Sequence, residues 1–181
     1  MTQSVGLTAA KSLTLGRSPQ IDLDKLPPVK HKGLILLVSR EEPCRKAIEY
    51  HLPQLERCWL ICSSQTLDLA KKLKQDFPNL KIPEPIIIND IYEPLEFYQE
   101  VRKIYNYLPQ EWVIEDVVAD FTGMTAQASV GMAIASLCEQ SSLQYTPAEL
   151  KDGKPTGRSL NPIEITFATS KKHRGDKIVA T

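Results

Sequence analysis

The sequence predicts an α/β fold, a mostly parallel sheet with helices on both faces and an antiparallel C-terminal edge. Three observations carry that prediction. Short apolar runs alternate four times with helical patterns between residues 33 and 138, the order expected of parallel strands joined by crossover helices. The first run, residues 34–38, is apolar at every position, as a strand covered on both faces must be. After residue 138 the pattern changes to two β segments, 143–150 and 163–168, flanking Asp152-Gly153-Lys154-Pro155, which reads as a turn or long loop.

Taken in order, residues 1–32 mix small, polar and charged types without a sustained period and include Pro27-Pro28. They read as a flexible N-terminal extension. Strand 34–38 follows, and Pro43 suits the first turn of a helix reaching about His51. At that helix end His51 favours the C-terminal dipole. Arg-Cys-Trp-Leu-Ile-Cys at 57–62 forms the second strand. Ser63 and Ser64 then cap a helix over about 66–77, in which Leu69, Leu73 and Phe77 recur at every fourth position. Residues 85–88 make a third strand and 94–107 a helix; residues 117–121 make a fourth strand and 125–138 a fourth helix. The domain is Rossmann-like, spans 33–168, and is followed by a basic tail at 169–181.

Hydrophobic residues make up 42% of the chain and charged ones 24%, the balance of an ordinary folded protein. No apolar run approaches the roughly 18–20 residues that cross a bilayer, and no secretory segment opens the chain. These features predict a cytoplasmic protein with no membrane partner. Cys58 and Cys62 fall on one face of a strand roughly 13 Å apart, too far for a bridge or a shared metal, so the four cysteines read as buried free thiols. The net charge of zero conceals +3 on each of 1–32 and 169–181 and −6 between them. A nucleic-acid-coating protein shows the reverse, a basic body. A phosphate-bearing ligand therefore needs a local site.

In sheets of this kind ligands bind beyond the carboxyl ends of the strands, where strand order reverses. That rule selects four loops, at 39–43, 63–66, 89–93 and 122–125. The first, Ser39-Arg40-Glu41-Glu42-Pro43, lacks the glycines that bring backbone against a pyrophosphate, which argues against a dinucleotide cofactor. In the third, Tyr92, beside Asn89 and Asp90, is the aromatic placed to stack on a base. The fourth is the most informative. Asp120 ends an apolar strand, Thr122-Gly123 makes the turn, and Thr125 opens the next helix. Unpaired N–H groups at that helix start can hold an anion without a basic side chain. There Gly123 admits close backbone approach, and the hydroxyls of Thr122 and Thr125 can donate. The same residues also read as an ordinary capped turn. The small side chains Ala128, Gly131, Met132 and Ala135 lie on one side of the fourth helix, as core packing or as a two-fold interface.

The segment Asp120-Phe121-Thr122-Gly123-Met124-Thr125-Ala126-Gln127-Ala128-Ser129 resembles the signature Asp-x-Thr-Gly-Gly-Thr-Lys-x-Met-Ser of CARF domains, the CRISPR-associated Rossmann-fold sensors. Asp120, Thr122, Gly123, Thr125 and Ser129 match in register. The first strand ending Leu-Val-Ser and the second closing Leu-Ile-Cys-Ser-Ser-Gln-Thr are also similar to that family's motifs. The resemblance implies a homodimeric sensor that binds a cyclic oligoadenylate, tetra- or hexa-adenylate, in type III CRISPR antiviral signalling. It implies no cofactor and no metal, and an effector that is a separate protein or is missing from this chain. By position, Ser39 and Arg40 would meet phosphate or ribose. Ser63, Ser64 and Thr66 would lie near an adenine, and Thr122, Gly123, Met124 and Thr125 would line the ring.

Two departures from the signature bear on activity. Its second glycine is Met124 here, and its lysine, which assists ring cleavage in some members, is Ala126. Losing that cation forgoes a contact worth about 1.5–3 kcal/mol. Binding without turnover is therefore favoured over ring nuclease activity, while Met124 and Ala126 favour the third reading, a partner-binding module with a vestigial pocket. Lys151, Lys154 and Arg158 can supply the missing charge from the loop around Asp152-Gly153, or they belong to a solvated turn.

Overall fold

A computed structural model describes residues 29–165. The expectations for residues 1–28, for the end of the strand at 163–168 and for the basic tail lie outside the described residues. Five parallel strands and one antiparallel edge strand form the main sheet, in the order β3-β2-β1-β4-β5-β8. The strands are β1 (Gly33–Leu37), β2 (Arg57–Ser63), β3 (Ile86–Ile88), β4 (Val117–Asp120), β5 (Ser142–Tyr145) and β8 (Ile163–Ile165). Chain order reverses between β1 and β4, whose register pairs Leu36 with Asp120.

Alternation along the strands sorts the core into two layers. Leu34, Leu36, Cys58, Leu60 and Val118 face α1 (Glu41–His51) and α2 (Leu67–Asp76). Ile35, Leu37, Trp59, Ile61, Val117 and Ala119 face α3 (Pro94–Asn106) and α4 (Ala126–Cys138). Local chemistry fixes the helix starts. Pro94 occupies the first turn of α3 and Glu93 accepts the Leu95 N–H, while the Thr125 hydroxyl accepts the Ala128 N–H at the head of α4. A 3-10 turn at Ser64–Thr66 precedes α2, so the second helix starts one residue later than the pattern suggested.

The small-residue stripe of α4 is core packing. Ala128, Gly131, Met132 and Ala135 are buried, and a Cβ on Gly131 would overlap the Pro94 carbonyl and crowd Phe97. Because that side of α4 is filled by α3 and the sheet, it is not available as a two-fold interface.

Three other expectations are corrected. Residues 143–150 are not one segment. After β5 the chain leaves the sheet at Thr146-Pro147, and β6 (Ala148–Lys151) pairs with β7 (Lys154–Ser159) in a separate hairpin turning at Asp152-Gly153. Proline cannot donate to a ladder, which explains the break. His51 is not a solvated cation at a helix end: it is buried, and burial lowers its pKa to about 4. Of the four cysteines, Cys44, Cys58 and Cys62 are buried but Cys138 is exposed. Burial pushes the Cys44 thiol up to about 12, so it is no nucleophile. Val29 to Lys32 are joined to the fold: His31 is buried, and the Lys32 carbonyl accepts from the N–H groups of Glu56 and Arg57. Among the described residues no helix is long and apolar enough to cross a membrane.

Candidate functional site

The switch between β1 and β4 brings two of the four loops into contact. Gly123 adopts φ +92°, a conformation that favours glycine, and a Cβ there would overlap Ser39 Oγ. The turn's glycine thus allows close approach of Ser39, two residues beyond β1. Met124 follows at φ 56°, also in the left-handed region, so this methionine holds the backbone shape for which the resembling signature uses glycine. Its side chain is half-buried against the α3–α4 core layer.

The third loop is tied to the same place. Thr125 donates its hydroxyl to the Ile91 carbonyl at 2.6 Å and accepts the Ala128 N–H at 3.1 Å. From the first turn of α3, Glu96 accepts from the loop's Asn89 and Asp90 N–H groups and from the Asn89 amide. These donors hold the Glu96 carboxyl below its ordinary value. Tyr92 is 67% exposed at the loop's tip.

Beneath the turn lies a buried polar chain. Asp120 accepts the Thr122 N–H on one oxygen at 2.8 Å, and on the other the Gln144 amide at 2.9 Å and the Thr146 hydroxyl at 2.6 Å. Burial nevertheless raises the Asp120 pKa, against the pull of those donors. The Thr122 hydroxyl bonds Asp120 and accepts the Thr146 N–H at 2.6 Å. Gln144 then accepts from His51 Nε2 at 2.8 Å, while His51 Nδ1 accepts the His31 N–H at 3.1 Å. Both ring nitrogens of a neutral imidazole are thereby satisfied.

The expectation that Thr122 and Thr125 donate hydroxyls to a ligand is therefore corrected: both hydroxyls are engaged within the protein, because the turn needs them to stay closed. What remains available is backbone. The N–H groups of Gly123, Met124, Ala126 and Gln127 meet no acceptor among the described residues. Gln144 and Thr146 take part in the site without being anticipated. The polar residues in β5, directly opposite an aspartate that ends an apolar strand, were the available signal.

The remaining expected residues stand further off. Ser63 and Thr66 bond each other around the start of the 3-10 turn, and Ser64 is exposed. Arg40 is exposed at the N-cap of α1. Glu41 is paired with Arg45 and Lys72, and Glu42 accepts from the N–H and hydroxyl of Ser159. That last contact docks the β6–β7 hairpin on the head of α1, with Lys154 and Arg158 exposed along β7. No group of three or more His, Cys, Asp or Glu side chains among the described residues could hold a metal ion.

No family model and no curated protein matches the sequence. Among solved structures, the chain is similar to Can2 from Sulfobacillus thermosulfidooxidans in complex with cyclic tetra-adenylate, at 13% identity and TM-score 0.50, over 69% of this chain and 36% of Can2. A type III CRISPR defence DNA nuclease activated by cyclic oligoadenylate matches at 13% identity and TM-score 0.49, over 78% of this chain and 22% of the nuclease. The chain thus spans about a third of Can2 and less of the nuclease. At this identity the likeness to Can2 concerns architecture: the chain has a Rossmann-like α/β fold shared with Can2, the fold that the resemblance to CARF domains implied.

Proposed function

We propose that the chain is a cytoplasmic CARF-type sensor domain that binds a cyclic oligoadenylate across a homodimer and passes the signal to a separate effector. The observation that carries this reading is the Gly123-Met124 turn. It lies at the switch between β1 and β4, with two consecutive left-handed residues and four N–H groups at the head of α4 that meet no acceptor among the described residues. Such a cradle suits a phosphodiester, since the helix start adds partial positive charge. It needs no lysine at position 126. Ser39 abuts the cradle; in this reading Arg40, exposed at the N-cap of α1, and Lys154 and Arg158, exposed on β7, supply the cations. In this reading Ser63, Ser64, Thr66, Asn89 and Tyr92, from the loops after β2 and β3, complete the ligand's surroundings.

Support for the dimer comes from the outer side of α4. The helix carries no charged residue between 126 and 138, yet Val130, Ile134 and Leu137 are 50%, 47% and 42% exposed. A helix apolar all round belongs under cover. Together with Leu95 of α3 these side chains present one apolar face for a second copy.

Thermal-shift measurement with cyclic tetra-adenylate and cyclic hexa-adenylate tests the proposal. A ligand held only by the folded state raises its stability by mass action, so one ring size raises the melting temperature. No shift with either ring argues for a module whose pocket is vestigial.

A further inference from the structure

Beside the cradle stands an aromatic pair that the sequence did not single out. Phe121, the first residue beyond β4, stacks on Tyr145, the last residue of β5, with ring centroids 5.7 Å apart and planes 27° from parallel. Tyr145 is 40% exposed, so its ring is covered on the Phe121 side and retains accessible surface. Its backbone is rigidly placed. Gln144 before it and Thr146 after it both bond Asp120, and Tyr145 itself is paired with Ile163 of β8. Phe121 is likewise pinned, its N–H to the Gln144 carbonyl and its carbonyl to the Ser129 hydroxyl. Two residues of backbone, less than about 8 Å, separate Phe121 from Gly123.

From this we infer that Tyr145, backed by Phe121, is the platform on which a purine base of the ligand stacks. The inference rests on the sensor reading and names a specificity residue for that same site. A planar, electron-rich ring held at a fixed angle loses little conformational freedom on binding, which is how aromatic platforms gain affinity for bases. Tyr92 lacks these features: it stands 67% exposed at a loop tip, and no aromatic ring stacks behind it among the described residues. Ordering it would cost side-chain entropy that Tyr145 has already lost. An anion cradle and a ring platform set side by side match a nucleotide, whose phosphate and base are separated by one sugar.

Calorimetric titration of the full chain with cyclic tetra-adenylate and cyclic hexa-adenylate tests this on the wild type and on Tyr145→Leu, Tyr145→Phe and Tyr92→Ala. Tyr145→Leu keeps apolar bulk but removes the planar face. Its affinity is expected to fall roughly 10- to 100-fold, with Tyr145→Phe close to wild type and Tyr92→Ala affected less than Tyr145→Leu. A second readout uses only wild-type protein. A ring carrying one 8-azidoadenine, photolysed in the complex, should label the peptide that contains Tyr145. Wild type that binds a ring, with Tyr145→Leu binding equally well or with the label falling elsewhere, overturns this inference and leaves the sensor reading standing. Wild type that binds neither ring overturns both.

Discussion

Replacing His51 by glutamine should flatten the acid limb of this protein's stability curve. In the folded chain His51 is buried, its Nε2–H spent on Gln144 and its Nδ1 on the His31 N–H. A proton on Nδ1 would break the second bond and place a charge in the interior, and burial accordingly lowers the pKa from 6.5 to about 4. The folded state therefore binds fewer protons than the unfolded state between those values, and stability rises with pH across that interval. The contribution is present above pH 6.5 and is lost as pH falls through 4. At 1.36 kcal/mol per pH unit, the drop from 6.5 to about 4 corresponds to roughly 3 kcal/mol. Glutamine at position 51 can donate to Gln144 and accept from His31, so the variant should fold with a modest loss of about 1 kcal/mol at neutral pH. Urea unfolding of both proteins from pH 7.5 to pH 4 isolates the effect, because the other titrating groups act alike in each. Between pH 7 and pH 4, wild type should lose about 3 kcal/mol more than the variant. Parallel curves would refute a neutral His51 locked in the polar chain.

Two further substitutions probe the turn. Gly123→Ala should destabilise the fold by about 1–3 kcal/mol, since φ +92° disfavours an L side chain and the new methyl overlaps Ser39; urea unfolding measures the loss, and adding Ser39→Gly should recover only the part due to overlap. Asp120→Asn turns one acceptor oxygen into a donor facing Thr122, Gln144 or Thr146. It should cost about 1–3 kcal/mol and weaken ring binding as the turn loosens, read by melting temperature and by calorimetry on the same sample.

The parallel sheet was legible because its determinants are local. Each buried strand is a short apolar run, each helix start carries Pro or a hydroxyl, and alternation of the two leaves few topologies. The loop carrying Gly123 was also legible, since a polar cluster after an apolar strand has few other uses. What escaped depended on contacts between distant positions. Nothing near His51 in sequence announces Gln144, 93 positions on, so its burial could not be read from a helix end. Ser39 as the neighbour that requires a glycine at 123 emerges only when β1 and β4 lie side by side. The hydroxyls of Thr122 and Thr125 looked free for a ligand because their partners, Thr146 and Ile91, come from other loops. Pro147 did mark the break between β5 and the hairpin, but the apolar and polar alternation around it ran on and masked the exit.

Calorimetric stoichiometry tests the central claim most directly. If backbone N–H groups of Gly123 and Met124 from two copies grip one cyclic oligoadenylate, titrating the wild-type protein with each ring should give saturable heat for one of them, at one ring per two chains. A flat titration with both rings, at protein concentrations where the fold is intact, would contradict the account.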